Sequence, residues 1–341
     1  MIANNVTAYV VTRDRYDTLS HALLSIVCQK IVPARLIIFD DGEHKDIRGI
    51  PVYGHIFSML QERNIKWEVV FAPHAGQVWS HRKALEMANT EFLWRVDDDN
   101  YAEADVLGLL LQAINKSPDI AAVGGLSLVP GTTVTGNFSG NITDIFNEPN
   151  MQWKREWSAG QDLEVDHLHN TFLYRRTAGN FPACMLELSR VGHREETIFT
   201  YDMKKRGHRL CVVPKALTWH LRAPHGGIRS ESSSEMYAAD EKLFINWLGG
   251  KEPKKLIVLD NGIGDHYAFK QILGDVKAKY GPLKIACCYP EVFWDDDSEL
   301  VSIAYVKSLN VDLDAHNVYK YMWDRQWSRP LVDAFKEMYK L

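Results

Sequence analysis

Three consecutive aspartates, Asp97, Asp98 and Asp99, close the otherwise apolar and aromatic stretch "FLWRVDDDNY" from Phe92 to Tyr101. Adjacent carboxylates repel, so a dense cluster at the end of a buried segment needs a cation or good solvation. If the strand continues through them, Asp97 and Asp99 lie on one side, because strand side chains alternate with a period of two. One could then hold a divalent ion directly while the other reaches it through water or meets a substrate hydroxyl. Magnesium or manganese suits such oxygen ligands and leaves coordination positions open for phosphates. The simpler reading of an isolated triplet is a solvated acidic turn.

Other carboxylates keep it company. "LIIFDDG" puts Asp40 and Asp41 at a second strand end, with Gly42 allowing a sharp turn. Carboxylates there can accept hydrogen bonds from a nucleobase N–H or from ribose hydroxyls, although a capped turn produces the same pattern. Further on, "HREETIFTYDMKKRGHRLCVVPKALTWHL" carries Glu195 and Glu196 at the start of a helix-like run and His220 at the end of a strand-like one. A carboxylate at a helix start that faces a cleft can take a proton from an attacking hydroxyl; the pair equally suits the positive end of a helix dipole. His220 could complete a metal shell or simply pack. In "HLRAPHGG", Arg222 and His225 are candidates for phosphate oxygens, and Gly226 and Gly227 for a lid over a bound ligand.

These residues need a scaffold to bring them together. "VTAYVVT", "ARLIIFDDG", "KWEVVFAP" and "EFLWRVDDDN" are short and apolar on both faces, as strands inside a parallel sheet are. "TLSHALLSIVCQ" and "VWSHRKALEMAN" between them show helical spacing. Strand–helix alternation predicts an α/β sheet, mainly parallel and flanked by helices, with its ligand site beyond the carboxyl ends of the strands. Residues 137–166 read as a loop over a cleft. "RLCVVPKALTWH" reads as a strand and "MYAADEKLFINWLGG" as a helix closed by glycines. "GGKEPKK" is the best linker in the chain, so the reading is a domain over 1–248, with halves 1–100 and 101–248, and a small α/β unit over 249–341.

With 46% hydrophobic and 24% charged residues, the composition is that of a globular protein, and a net charge of −5 argues against coating nucleic acid or an anionic membrane. Five scattered cysteines without a C-x-x-C pair offer no disulfide framework. The N-terminus lacks the features of a signal peptide, and no apolar run approaches the roughly 18 residues of a membrane span, so the expectation is a cytoplasmic protein. Its oligomeric state is open, a homo-oligomer included.

"VTAYVVTRDRYDTLSHALLSIVCQ", "LIIFDDG" and "AGQVWSHRKALEMANTEFLWRVDDDN" together resemble, in order and spacing, the family-two inverting glycosyltransferases of GT-A fold, over about residues 6–247. The resemblance implies contacts to the nucleotide sugar from Thr12, Arg15, Asp40, Asp41, Gly76, Arg82, Asp97 and Asp98. It implies Asp99 as the metal ligand, with Mn2+ or Mg2+ as cofactor. Glu196 aligns with the family's catalytic base, usually an aspartate, and Glu195 stays open beside it. The implied reaction is a single displacement from a nucleotide sugar, a UDP-sugar for preference, to a hydroxyl.

The acceptor stays open between a glycan, a lipid-linked saccharide, a small molecule and a modified, hydroxymethylated nucleic-acid base. A non-catalytic glycan-binding scaffold predicts loss of the carboxylates, which are present. A nucleotidyltransferase needs a glycine-rich basic loop after the first strand, and "VVTRDRYDT" has no glycine. In the tail, "DNGIGD" is similar to the opening of heptosyltransferase-like GT-B domains and could hold a phosphate; a structural or acceptor-binding role is preferred. "WDDDSE", from Trp294 to Glu299, repeats the acidic triplet without a preceding apolar strand and reads as a solvated turn.

Overall fold

The computed structural model describes residues 1–43, 46–130, 162–223, 225–227, 234–250, 254–302 and 318–341. They form two compact units, Met1–Gly249 and Gly250–Leu341. Most of the stretch over 137–166, including Trp153 and Trp157, lies outside the described residues, as do most of the serine-rich loop after Gly227 and the middle of the linker.

In the first unit, β1 (Ile2–Thr12), β2 (Val32–Asp40), β3 (Lys66–Phe71) and β4 (Phe92–Asp97) are parallel neighbours in the order β3-β2-β1-β4. The sheet continues through β8 (Phe172–Arg175), β6 (Ile120–Leu128), β9 (Arg209–His220) and β5 (Asn100–Ala102), while β7 (Leu163–Val165) pairs with β9. β8 runs antiparallel to both of its neighbours, and β5 and β7 antiparallel to β9. The expected mainly parallel α/β sheet is present, with these strands as its antiparallel exceptions.

Period-two alternation sorts the side chains of the central strands into two cores, which is why each strand reads as apolar on both faces. Val6, Ala8 and Val10 of β1 and Phe92, Trp94 and Val96 of β4 join one core, completed by α1 (Tyr16–Val27), α2 (Pro51–Glu62) and α4 (Val106–Ile114). Tyr9, Ile37, Phe39 and Leu93 face the other, covered by α3 (Gln77–Met87), α6 (Glu195–Lys205) and α7 (Ser234–Trp247). The one-turn α5 (Ala183–Leu186) sits on that second side, with Met185 in the core. The sequence reading singles out neither α2, which Pro51 opens at its first turn, nor α4.

The second unit has a parallel sheet in the order β10 (Lys255–Leu259), β11 (Leu283–Cys287), β12 (Glu299–Ser302), with α8 (Ile263–Lys270), α9 (Leu273–Tyr280), α10 (Val318–Asp324) and α11 (Leu331–Met338). Ile257, Phe269, Ile272, Ile285, Phe293 and Phe335 fill its own core. At the glycine turn, the buried Asp265 accepts a hydrogen bond from the Tyr319 hydroxyl, so a carboxylate already sits in the first turn of α8. Among the described residues no helix is long and apolar enough to cross a membrane.

Candidate functional site

Register alone gathers the strand ends. β1 pairs with β2 so that Thr12 lies beside Asp40, and with β4 so that Val11 lies beside Asp97. Three parallel strands therefore stop at one level, and a cleft of about 350 Å3 opens there. Thr12, Arg15, Asp41, Gly76, Asp97, Asp98, Asp99, Glu196 and His220, all singled out in the sequence, line it.

β4 ends at Asp97, and the chain turns at Asp98 and Asp99 before β5. The alternation expected through the triplet is therefore broken, and each carboxylate acquires different partners. Asp98 accepts from the Thr12 hydroxyl at 2.8 Å and from Arg15 at 2.9 Å. Asp99 accepts from Arg15 at 3.2 Å and from the Ala223 backbone N–H at 3.3 Å, with His220 Nε2 3.3 Å away. His220 comes to this place because β5 pairs Asn100 with it at the end of β9. Asp97, more open to the cleft, lies 3.3 Å from Arg95 Nε.

One arginine between two buried aspartates leaves the cluster short of positive charge. Burial, reinforced by Glu196, Asp99 and Asp98 and opposed by Arg95, pushes the Asp97 carboxyl up to about 7. Burial and Asp99, opposed by Arg15 and Thr12, push Asp98 up to about 6. At Asp99 burial is outweighed by His220, Arg15 and the Ala223 N–H, which hold it below the usual carboxylate range. Asp99 and His220 therefore present an ionised oxygen and an imidazole side by side. That donor set fits a divalent ion that takes its remaining ligands from phosphates and water. Asp97 does not join them as a ready shell: among the described residues, no three His, Cys, Asp or Glu side chains converge in a metal-binding group.

The two glutamates part ways. Ile198, Phe199 and Met203 seat α6 in the second core, each worth about 1.5–3 kcal/mol of burial. Arg194, at φ 70° just before the helix, is clamped by Glu241 of α7 at 2.8 and 3.1 Å. That fixed rotation turns Glu195 inward, 1% exposed, with Oε1 2.7 Å from Arg95 Nη2 and 3.3 Å from His81 Nε2. Glu196 faces the cleft. Its Oε1 accepts from Arg95 Nη2 and from the Asn170 N–H, both at 2.9 Å, and Oε2 lies 3.2 Å from His169 Nδ1. Burial is outweighed there by Arg95, His169 and Asn170, so Glu196 is held well below the usual carboxylate range.

On the other wall, Asp41 accepts from the N–H groups of Ala75 and Gly76 at 3.0 and 2.9 Å and so fixes the turn into α3. Gly76 sits at φ 85°, and a Cβ there would come within 2.7 Å of the Arg190 carbonyl, so only glycine fits. Gly227 donates to the Arg13 carbonyl at 2.6 Å, which ties the expected lid segment to the loop that carries Arg15.

Four nucleotide-side expectations fall outside the cleft. Asp40 is buried and accepts from the Tyr16 hydroxyl and the Gly42 N–H. Arg82 points to solvent and pairs with Glu86, because α3 turns Ser80, His81 and Ala84 inward. Arg222 and His225 are exposed. Conversely, Arg95, His169, Asn170, Arg190 and Gln77 line the cleft without having been singled out. Arg95 had a signal, a lone charge inside an apolar strand; the others had none.

A curated relative, the glucosyl-dolichyl phosphate glucuronosyltransferase of Haloferax volcanii, is 26% identical over 127 residues, 37% of this chain and 38% of that protein. The chain thus aligns with well under half of that relative's length. Among solved structures, GalNAc-T7 with UDP, GalNAc and Mn2+ is similar at 12% identity and a TM-score of 0.49, covering 95% of this chain and 58% of that one. S. aureus TarS, residues 1–349, is similar at 15% identity and a TM-score of 0.45, covering 72% of this chain and 70% of that one. A family profile, Glycosyl transferase family 2, matches residues 7–179, just over half of the 341. On that match, which includes the aspartate triplet and the strands that carry it, the chain belongs to Glycosyl transferase family 2.

Proposed function

We propose that the protein transfers a sugar from a nucleotide-sugar donor to an acceptor hydroxyl by a single inverting displacement. The observation that carries this reading is that the triplet and Glu196 line one cleft. A charge-deficient aspartate cluster and an ionised, cleft-facing glutamate are what the two ends of such a displacement require. Family membership supports the reaction class, and the archaeal relative's name supports a saccharide acceptor, lipid-linked or free.

Thr12, Arg15, Asp41 and Gly76 form the nucleotide side, with UDP as the preferred nucleotide. Asp99 and His220 would hold a divalent ion, Mn2+ or Mg2+, beside Asp97 and Asp98. Once bound, the ion supplies Lewis acidity toward the diphosphate. Glu196 accepts the proton of the acceptor hydroxyl as its oxygen forms the new bond to the anomeric carbon. The bond from that carbon to the diphosphate breaks, and its electron pair leaves with the nucleoside diphosphate. Glu195, sealed under Arg95, touches neither substrate.

Calorimetric titration with UDP-, GDP-, ADP- and CMP-sugars, with and without Mn2+, on wild type and Asp99→Ala, tests this. The expected result is metal-dependent binding of one donor that vanishes in the variant. No donor binding under any metal would leave a glycan-binding scaffold as the better account.

A further inference from the structure

Arg95 occupies a place where a charge needs an explanation. Its neighbours along β4, Phe92, Leu93, Trp94 and Val96, are at most 1% exposed, and Arg95 itself is 4% exposed. Strand alternation puts it on the same face as Leu93 and Asp97, under the cleft. One nitrogen, Nη2, lies 2.7 Å from Glu195 Oε1 and 2.9 Å from Glu196 Oε1, while Nε reaches Asp97 at 3.3 Å and the guanidinium stacks 5.5 Å from the Phe172 ring centre.

Those partners differ in freedom. Glu195 is fixed from beneath by the buried His81 of α3, and burial with Arg95 pushes that imidazole's pKa down, so it stands there neutral. Glu195 itself is 1% exposed and does not line the cleft. Glu196 is reached from two sides at once: from Arg95 of β4, and from the segment before β8, through the backbone N–H of Asn170 and through His169, whose other ring nitrogen lies 3.0 Å from the Thr197 hydroxyl. A single buried nitrogen within ion-pair distance of both glutamates ties the two side chains to one point of the cleft wall.

We propose that Arg95 is a positioning residue for the proton acceptor: braced by Glu195, its guanidinium holds the Glu196 carboxylate in the orientation that meets the acceptor hydroxyl. This rests on the transferase reading above. In this role Arg95 acts through Glu196, and Glu195 acts through Arg95. The adjacent glutamates thus divide one task between anchor and base, which is why the pair is ambiguous in sequence.

The test uses Arg95→Lys and the charge-balanced double variant Arg95→Met with Glu195→Gln, each checked for folding by circular dichroism and melting. Donor affinity is measured by calorimetry, and kcat by release of nucleoside diphosphate with water or a saccharide panel as acceptor. A displaced base lowers kcat by about 10²-fold, while donor affinity stays within about threefold of wild type. The double variant removes the buried charge imbalance, so a merely structural arginine predicts recovery of kcat, whereas a positioning role predicts a folded, donor-binding, slow enzyme. Wild-type kcat in the double variant, or a loss of donor affinity as large as the loss of kcat in Arg95→Lys, overturns the proposal while leaving the transferase reading intact. A wild type that turns over no donor at all removes the base and this proposal with it.

Discussion

The chain carries two runs of three aspartates, one in each unit, and they behave as different chemical objects. Asp97–Asp99 end a buried parallel strand, meet Arg95 at Asp97 and share Arg15 between Asp98 and Asp99, and include two carboxyls pushed up to about 7 and about 6, by burial first. Asp295–Asp297 follow a short turn with no buried strand behind it. Lys270 reaches Asp295 at 2.6 Å, Lys277 reaches Asp296 at 2.6 Å and also pairs with Asp297, and Asp297 is 94% exposed. Lysine hydrogen bonds hold Asp295 below its ordinary range, and at Asp296 burial is outweighed by Lys277 and Ser298. Identical letters thus give a cation-hungry cluster where the backbone denies them water and counter-charge, and a satisfied surface turn where it does not.

Substitution should separate the two most sharply. Asp99→Asn is expected to lower sugar transfer by at least about 10²-fold, since Lewis-acid stabilisation is worth several kcal/mol, while Asp297→Asn leaves it unchanged. Equal effects in a transfer assay would abolish the distinction.

The next largest contrast is in pH. Asp97 and Asp98 have folded pKa values above their unfolded ones, so the stability they contribute is complete below about 4 and is lost as pH rises through about 6 to 7. Without divalent ions, the melting temperature of the first unit should fall by roughly a few degrees between pH 5 and 8, and saturating Mn2+ should remove the fall. Asp295 and Asp296 of the second unit, with pKa values lowered, titrate only in acid and contribute no slope in that window. Calorimetric scans across that range check both.

Glycines sharpen the comparison further. Gly227, at φ 58°, would place a Cβ 2.5 Å from Arg15 Cζ, so Gly227→Ala should cost about 1–2 kcal/mol and weaken donor binding. Gly264, in α8 with nothing within 4 Å of its Cβ position, should gain about 0.5–1 kcal/mol as alanine. Smallest of all, Lys277→Met should change the stability of the second unit by about 1 kcal/mol, because its pair with Asp297 is screened by solvent and only that with Asp296 is part-buried.

Much of this was legible in the residues, and where it was not the cause is physical. The run Arg209–His220 forms a strand over the expected residues, because continuous β-branched and apolar character leaves a buried strand little alternative. Register then carries Asp97 and His220 to the same cleft. The alternation drawn through Asp97–Asp99 failed because the chain turns at Asp98, and periodicity cannot say where a strand stops. Glu195 and Glu196 could not be told apart, since which one faces the cleft is a matter of helix rotation. Ile198, Phe199 and the Arg194–Glu241 clamp set that rotation, and they are tertiary contacts. Arg82 was expected in the cleft on position alone, yet in α3 its neighbour His81 faces inward.

Strand pairing also sets an order of assembly. Residues 100–102, just after the triplet, take their place in the sheet by pairing with residues 218–220. During synthesis at roughly 5–20 residues per second the triplet emerges many seconds before the strand end that gives it His220 and the following residues that give it the Ala223 N–H. Until then it is an acidic turn in an unfinished sheet, and its set of partners is complete only with the long-range closure that such topology makes slow.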